Sequence, residues 1–241
     1  MKSFKHSGDL GDIIYSLPTI KDLGGGILYL DLTNGKSDEY CIKQGYTKFN
    51  KHSYDFIYPL LKNQNYINDI KIYENQSIDI NLNKMRSYFV GEKSRTNYNC
   101  LVDLHRQSFN LDFYDVNIPW ISCGDPIKFD KKIIISRSPR YQSNWAFFAG
   151  QKDFFSKNAI FIGLKKEHEY FEWAVETKID FIEVDNALTM AKIIYGSDIF
   201  IGNPTFSLSL AVGLPCKKII QEFDKNCPTT YFPTKTNMIR V

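Results

Sequence analysis

Two short segments of this 241-residue chain carry residue types able to do chemistry, at spacings that would present them together. The first is Gly8-Asp9-Leu10-Gly11-Asp12, two carboxylates in a turn of small residues. An aspartate with an ordinary pKa of about 4 is ionised at neutral pH and can accept a proton from an attacking hydroxyl. The small Gly11 beside Asp12 would let a substrate approach the backbone closely. The same residues also suit a helix start, with Asp12 as an N-cap bonding the free N–H groups of the helix that follows. Residue types alone leave both roles open, and Asp9 competes with Asp12 for any direct one.

The second segment is Gly202-Asn203-Pro204-Thr205-Phe206-Ser207. A helix beginning near Thr205 would turn unpaired N–H groups and a positive dipole end toward an anion. Thr205 and Ser207 add hydroxyl donors, and Asn203 can orient the turn. An ordinary turn with Thr205 as N-cap accounts for the same residues. Arg137 and Arg140, in Ser136-Arg137-Ser138-Pro139-Arg140, follow an apolar run. A guanidinium fork grips phosphate oxygens in pairs and keeps its charge, although surface arginines are common. His105, in Asp103-Leu104-His105-Arg106, is placed to assist a base or bind a hydroxyl; a lone histidine is more often structural. Glu222, just beyond a late apolar run, suits ribose hydroxyls or plain solvent exposure.

The elements that would position these groups alternate between apolar runs and helix-period segments, as in parallel sheets with crossover helices. In the first half, strands are expected at residues 2–6, 27–30, 69–73 and 100–104. Helices are expected through Ile13, Ile14, Leu17 and Ile20, with Pro18 marking a kink or late start, and over residues 54–62. The first helix should stop at Gly24-Gly25-Gly26, which lacks phosphate-loop spacing. Residues 35–53 read as irregular loop, and residues 75–92 are polar and weakly patterned. Residues 117–132 hold Pro119, Gly124 and Pro126 and read as a linker. After it, strands are expected at 132–136, 158–163, 180–184, 198–201 and 217–221. Helices are expected at 144–150, 167–176, 186–195 and 205–212. The fold class is therefore α/β, with two Rossmann-like lobes, residues 1–125 and 126–241, whose parallel sheets face a cleft walled on one side by the Gly8–Asp12 turn.

Composition limits the function. With 43% apolar and 24% charged residues, the chain has the material for a folded core. Thirty basic against 27 acidic residues leave +3, too balanced to point to nucleic acid, although Lys128, Lys131, Lys132, Arg137 and Arg140 cluster locally. Five scattered cysteines with no C-x-x-C pair argue against disulfides or zinc and fit a reducing compartment. Neither a signal-peptide h-region nor an 18-residue apolar run is present, so a soluble, cytoplasmic protein is expected.

The run Lys5-His6-Ser7-Gly8-Asp9-Leu10-Gly11-Asp12 through Leu17-Pro18 resembles the first loop of heptosyltransferase-type (family 9) glycosyltransferases. Ser197-Asp198-Ile199-Phe200-Ile201-Gly202-Asn203-Pro204-Thr205 and the helix to Ala211 are similar to that family's donor-side strand-to-helix motif. Ile135 to Tyr141 falls where the family opens its second lobe. The likeness covers the first two dozen residues and roughly residues 133–221. It departs at Pro204 and Ser209, where the family usually has an acid and a histidine.

The resemblance implies a two-Rossmann (GT-B) fold and an inverting, metal-independent sugar transfer from a nucleotide-diphosphate sugar to a hydroxyl acceptor. No cofactor is expected to be essential. Asp12 matches the catalytic carboxylate, with Asp9 and His105 as lesser candidates. Gly11, Arg137, Arg140, Asn203, Thr205, Ser207 and Glu222 would face the donor. Glu183-Val184-Asp185 looks like the metal signature of the other large glycosyltransferase fold but sits in the wrong pattern. Two other readings remain: a non-catalytic binder of sugar nucleotides or glycans, suggested by the altered donor motif, and transfer to hydroxylated DNA bases, in which nucleic acid is a less favoured partner.

Overall fold

The computed structural model describes residues 1–33, 49–89, 100–139, 141–142, 145–222 and 235–241. In the first half, β1 (Lys2–His6) leads to α1 (Leu10–Asp22) and β2 (Gly26–Leu30). Then come α2 (Lys51–Lys62), β3 (Ile67–Ile72), β4 (Ile80–Asn81), a 3-10 helix (Leu82–Phe89) and α3 (Leu101–Gln107). All pairings in this sheet are parallel, in the order β3-β2-β1-β4.

The second half holds β5 (Ile133–Ser136), α4 (Trp145–Ala149), α5 (Lys152–Asn158), β6 (Ala159–Gly163), α6 (Lys165–Val175) and β7 (Asp180–Glu183). It continues through α7 (Ala187–Gly196), β8 (Ile199–Gly202), α8 (Phe206–Gly213), β9 (Ile219–Gln221) and β10 (Met238–Arg240). The second sheet, also parallel, runs β10-β9-β8-β5-β6-β7. Two parallel sheets with helices between their strands make the expected α/β architecture.

Local sequence explains most of these elements. Helix α1 ends where Gly24 and Gly25 take φ of 96° and 68°, the left-handed region that glycine enters without strain. Pro18 does sit inside α1. It cannot donate to the carbonyl four residues back, that of Ile14, and Trp120 Nε1 donates to that oxygen instead at 3.2 Å. Strand β5 alternates strictly: Ile134 faces the large core shared with Phe200 and Leu208, while Ile133 and Ile135 face a smaller one with Phe148, Phe161 and Phe171. A parallel sheet covered on both faces has this signature.

Several expectations need correction. Residues 100–104 do not form a strand; Cys100 is the N-cap of helix α3, buried along nearly its whole length. His105 therefore lies in a helix and not at a strand end. Helix α5 and strand β10 form where the sequence pattern predicts neither, and residues 80–89 have structure where that pattern is weak. Residues 117–132 form no free linker, because Trp120, Ile121 and Cys123 are buried. The backbone N–H groups of Trp120 and Ile121 both donate to Gly213 O, at 2.9 and 3.1 Å. Helix α1 packs on α8, α2 packs on α7, and one apolar core runs through both halves. Among the described residues, no helix is long and apolar enough to cross a membrane.

Candidate functional site

In an open parallel sheet, ligands gather beyond the strand C-termini where the strand order reverses direction. In the first sheet that point lies between β1 and β4, and in the second between β5 and β8. The Ser7–Asp12 turn leaves β1, and the Asn203–Ser207 turn leaves β8. Each motif singled out in the sequence thus sits at the switch point of its own sheet.

The first turn is held tightly. Asp9 takes the N-cap position of α1 and Asp12 the third position of its first turn, with Asp12 Oδ2 accepting the Asp9 N–H at 3.2 Å. The cap position thus falls to Asp9, and Asp12 reaches back to it. A carboxylate has lone pairs to spare after one such bond, so this contact and proton acceptance are compatible. Ser7 is fixed by Asn83, whose Oδ1 accepts from the Ser7 N–H at 3.0 Å and the Ser7 hydroxyl at 2.9 Å. Arg86 Nη2 donates to Ser7 O at 3.3 Å. Asn83 and Arg86 come from the 3-10 helix after β4, where no hydrophobic period drew attention to them.

His6 and Gly8 complete the turn. His6 Nδ1 accepts the Gly8 N–H at 2.8 Å. A Cβ on Gly8 would lie 2.4 Å from His6 Cε1 and 2.6 Å from Asp12 Oδ2, so no larger residue fits. Gly11 is different: its Cβ position lies 3.8 Å from Ser209 Oγ of α8, an ordinary contact that places α1 and α8 side by side. His105 packs its ring 5.3 Å from that of His6. Burial, then the nearby Arg86 guanidinium, press His105 down to about 3, with a backbone contact to Asp12 working weakly the other way. Burial, His105 and Arg86 also hold His6 well below the usual imidazole range. Asp103 and Arg106 turn elsewhere, Asp103 Oδ1 accepting the Tyr114 N–H at 3.1 Å and Arg106 pairing with Asp22.

On the second side, Asn203 is fully buried and clasps Ser138: Ser138 N–H donates to its Oδ1 at 3.2 Å, and its Nδ2 donates to Ser138 O at 2.9 Å. This ties the turn after β5 to the turn after β8. Gly202 makes the approach possible, since a Cβ there would lie 2.8 Å from Ser136 O. Thr205 is the N-cap of α8, and its hydroxyl lies 3.2 Å from that of Ser207. Two hydroxyls and the first N–H groups of α8 therefore converge at one helix start.

The sequence directs Arg137 to phosphate and Glu222 to ribose, and the structure joins the two side chains. Arg137 Nε and Nη2 donate to Glu222 Oε2 and Oε1, both at 2.6 Å, with side-chain exposures of 1% and 0%. The Trp145 ring lies 3.4 Å below the guanidinium carbon. Arg140 lies outside the described residues. Glu183 and Asp185 are exposed, and no group of three or more potential metal ligands occurs among the described residues.

The α/β fold with two parallel sheets matches solved structures over the full length of the chain. A family 9 glycosyl transferase from Veillonella parvula superposes with a TM-score of 0.61 at 12% identity, covering 99% of this chain and 84% of that one. The chain has the fold of that family 9 glycosyl transferase. The Escherichia coli heptosyltransferase WaaC is also similar in fold. Solved with ADP-2-deoxy-2-fluoro heptose, it gives a TM-score of 0.65 at 8% identity, over 100% and 93% of the two chains. Solved with ADP, it gives 0.56 at 8% identity, over 100% and 90%. No protein-family model matches the sequence, and neither does any curated protein.

Proposed function

We propose that the protein is an inverting, metal-independent glycosyltransferase that moves a sugar from a nucleotide-diphosphate donor to a hydroxyl acceptor. One observation carries this reading. The carboxylate turn and the hydroxyl-rich helix start occupy the switch points of their respective sheets, and the helices they open, α1 and α8, pack against each other through Gly11 and Ser209. On this reading a base and an anion cradle would form neighbouring walls of one site. Residues 1–125 would hold the acceptor and residues 126–241 the donor. The bound ADP and ADP-sugar in the heptosyltransferase of the same fold support a donor of that class.

In the proposed reaction Asp12 accepts the proton of the acceptor hydroxyl as its oxygen bonds to the anomeric carbon. The bond from that carbon to the diphosphate oxygen breaks, with the electron pair leaving on the diphosphate. Attack from the face opposite the leaving group inverts the anomeric centre, through a transition state with oxocarbenium character. The first N–H groups of α8, with Thr205 and Ser207, would take the developing negative charge. Asn203 would hold this turn against Ser138. Arg137 and Glu222, locked together, would brace the floor of the donor side.

A binding protein without turnover is the second reading, favoured by one contact. Ser209, where the resembling family has a histidine, donates its hydroxyl to Phe206 O at 2.6 Å and packs against Gly11. A panel of nucleoside diphosphates and their sugars tests both readings. Ligands that bind the native state raise its melting temperature. Stabilisation together with release of nucleoside diphosphate supports transfer; stabilisation without release supports the binder; no response to any nucleotide contradicts both.

A further inference from the structure

We infer that His6 is a positioning residue for Asp12, its neutral imidazole holding the Gly8 N–H and so fixing the turn that carries the Asp12 carboxylate. The inference rests on the reading of Asp12 as the base. A nitrogen that accepts a hydrogen bond carries no proton, so the 2.8 Å contact from Gly8 N–H to Nδ1 puts the single proton of His6 on Nε2. Gly8 is the point where His6 and Asp12 meet. The space a Gly8 side chain would need is already taken by His6 Cε1, at 2.4 Å, and Asp12 Oδ2, at 2.6 Å, so both side chains crowd the same glycine and a shift of its backbone is felt at both.

The surroundings keep the imidazole in this form. Burial does most to keep it neutral, and His105 from α3 and Arg86 from the 3-10 helix add to that effect. Asp9 caps α1 and Asp12 lies in its first turn. From the end of β2, the Asp31 N–H donates to His6 O at 2.9 Å, while the Asp31 carboxylate is bonded to Lys5. Protonation of Nδ1 would abolish its acceptor, break the Gly8 bond, and place a cation beside Arg86. The His105 ring, buried and tilted 40° to that of His6, stops the imidazole from swinging away.

The test uses the full chain with the variants His6→Leu, His6→Asn and Asp12→Asn. Asparagine keeps an acceptor oxygen near the position of Nδ1; leucine removes it. In the wild type, side-chain ¹⁵N spectra should place the His6 proton on Nε2, unchanged from about pH 8 down to about pH 5. The Gly8 amide should exchange about tenfold faster in folded His6→Leu and recover in His6→Asn. Release of ADP from ADP-heptose should fall about tenfold to a hundredfold in kcat in His6→Leu, with the Kd for ADP unchanged, and return in His6→Asn. A proton on Nδ1, or a folded His6→Leu with wild-type Gly8 exchange, overturns the inference. Should His6→Leu fail to fold, the wild-type tautomer and the His6→Asn exchange rate decide. Loss of ADP release in Asp12→Asn with none in folded His6→Leu removes the positioning role alone. Wild-type release in Asp12→Asn removes the base reading beneath it.

Discussion

Arg137 and Glu222, 85 residues apart in sequence, form a two-pronged ion pair with both side chains sealed from solvent. The pair closes the gap between the ends of β5 and β9, on either side of β8. Removing one partner strands a buried charge, which costs far more than the net worth of the pair. Glu222→Gln should therefore lower unfolding free energy by about 3–5 kcal/mol, measured by urea denaturation. The double variant Arg137→Met with Glu222→Leu should recover most of this loss. A single variant as stable as the wild type would contradict a structural role for the pair.

The two glycines of the first turn should respond oppositely to the same change. Gly8→Ala places a methyl group 2.4 Å from His6 Cε1, and the turn has to shift. Gly11→Ala meets only Ser209 at 3.8 Å and lies within α1. Alanine there should be neutral or stabilising by up to about 1 kcal/mol from helix propensity. Melting temperatures of both variants check this; equal tolerance at the two positions would show that the turn is not packed as described.

The shared core ties the two lobes together. Trp120 bridges them, bonding Ile14 O with its ring nitrogen and Gly213 O with its backbone. Thermal unfolding should give one cooperative transition, with calorimetric and van't Hoff enthalpies in agreement. Trp120→Phe keeps most of the packing but leaves the Ile14 carbonyl unpaired, a loss of about 1–3 kcal/mol. Two resolved transitions would instead mean that residues 1–125 and 126–241 fold separately.

The legibility of this structure in its sequence follows the local physics. Helix α1 has a small-residue start, a hydrophobic face and a glycine stop, and all three signals lie within the helix or beside it. Helix α3 misleads because Leu101, Val102, Asp103, Leu104, His105 and Arg106 are all buried. A helix enclosed on every side has no polar face to reveal its period, so its apolar run reads as a strand. Strand β10 has three residues, too few to show alternation. At the site, the two turns were readable because glycine, aspartate and hydroxyl residues mark them locally. The Arg137–Glu222 pair, the His6–Gly8 bond and the placement of Arg86 depend on strand order, which one sequence does not display.

Burial of the two histidines fixes the sign of an acid response. Both are neutral in the folded protein, His105 with its pKa lowered to about 3 and His6 lowered as well. Unfolded, each binds a proton below about pH 6.5. The stability they confer is complete above that pH and is lost as pH falls below it, for His105 down to about 3, by up to about 1.4 kcal/mol per pH unit for each histidine. Between about pH 6.5 and 5 most carboxylates stay ionised, so His105→Leu should flatten the slope there. An unchanged slope in that variant would contradict a neutral, buried His105.

The account as a whole stands on Asp12 as the proton acceptor for sugar transfer. The most direct measurement is the single-turnover rate of nucleoside diphosphate release by Asp12→Asn, with nucleotide affinity determined on the same preparation. Asparagine keeps the size of the side chain and can still accept the Asp9 N–H, but it cannot take a proton from a hydroxyl. The rate should fall by about a hundredfold to ten-thousandfold while the Kd for the nucleotide stays within about twofold. Release at the wild-type rate by a folded Asp12→Asn protein would contradict the account.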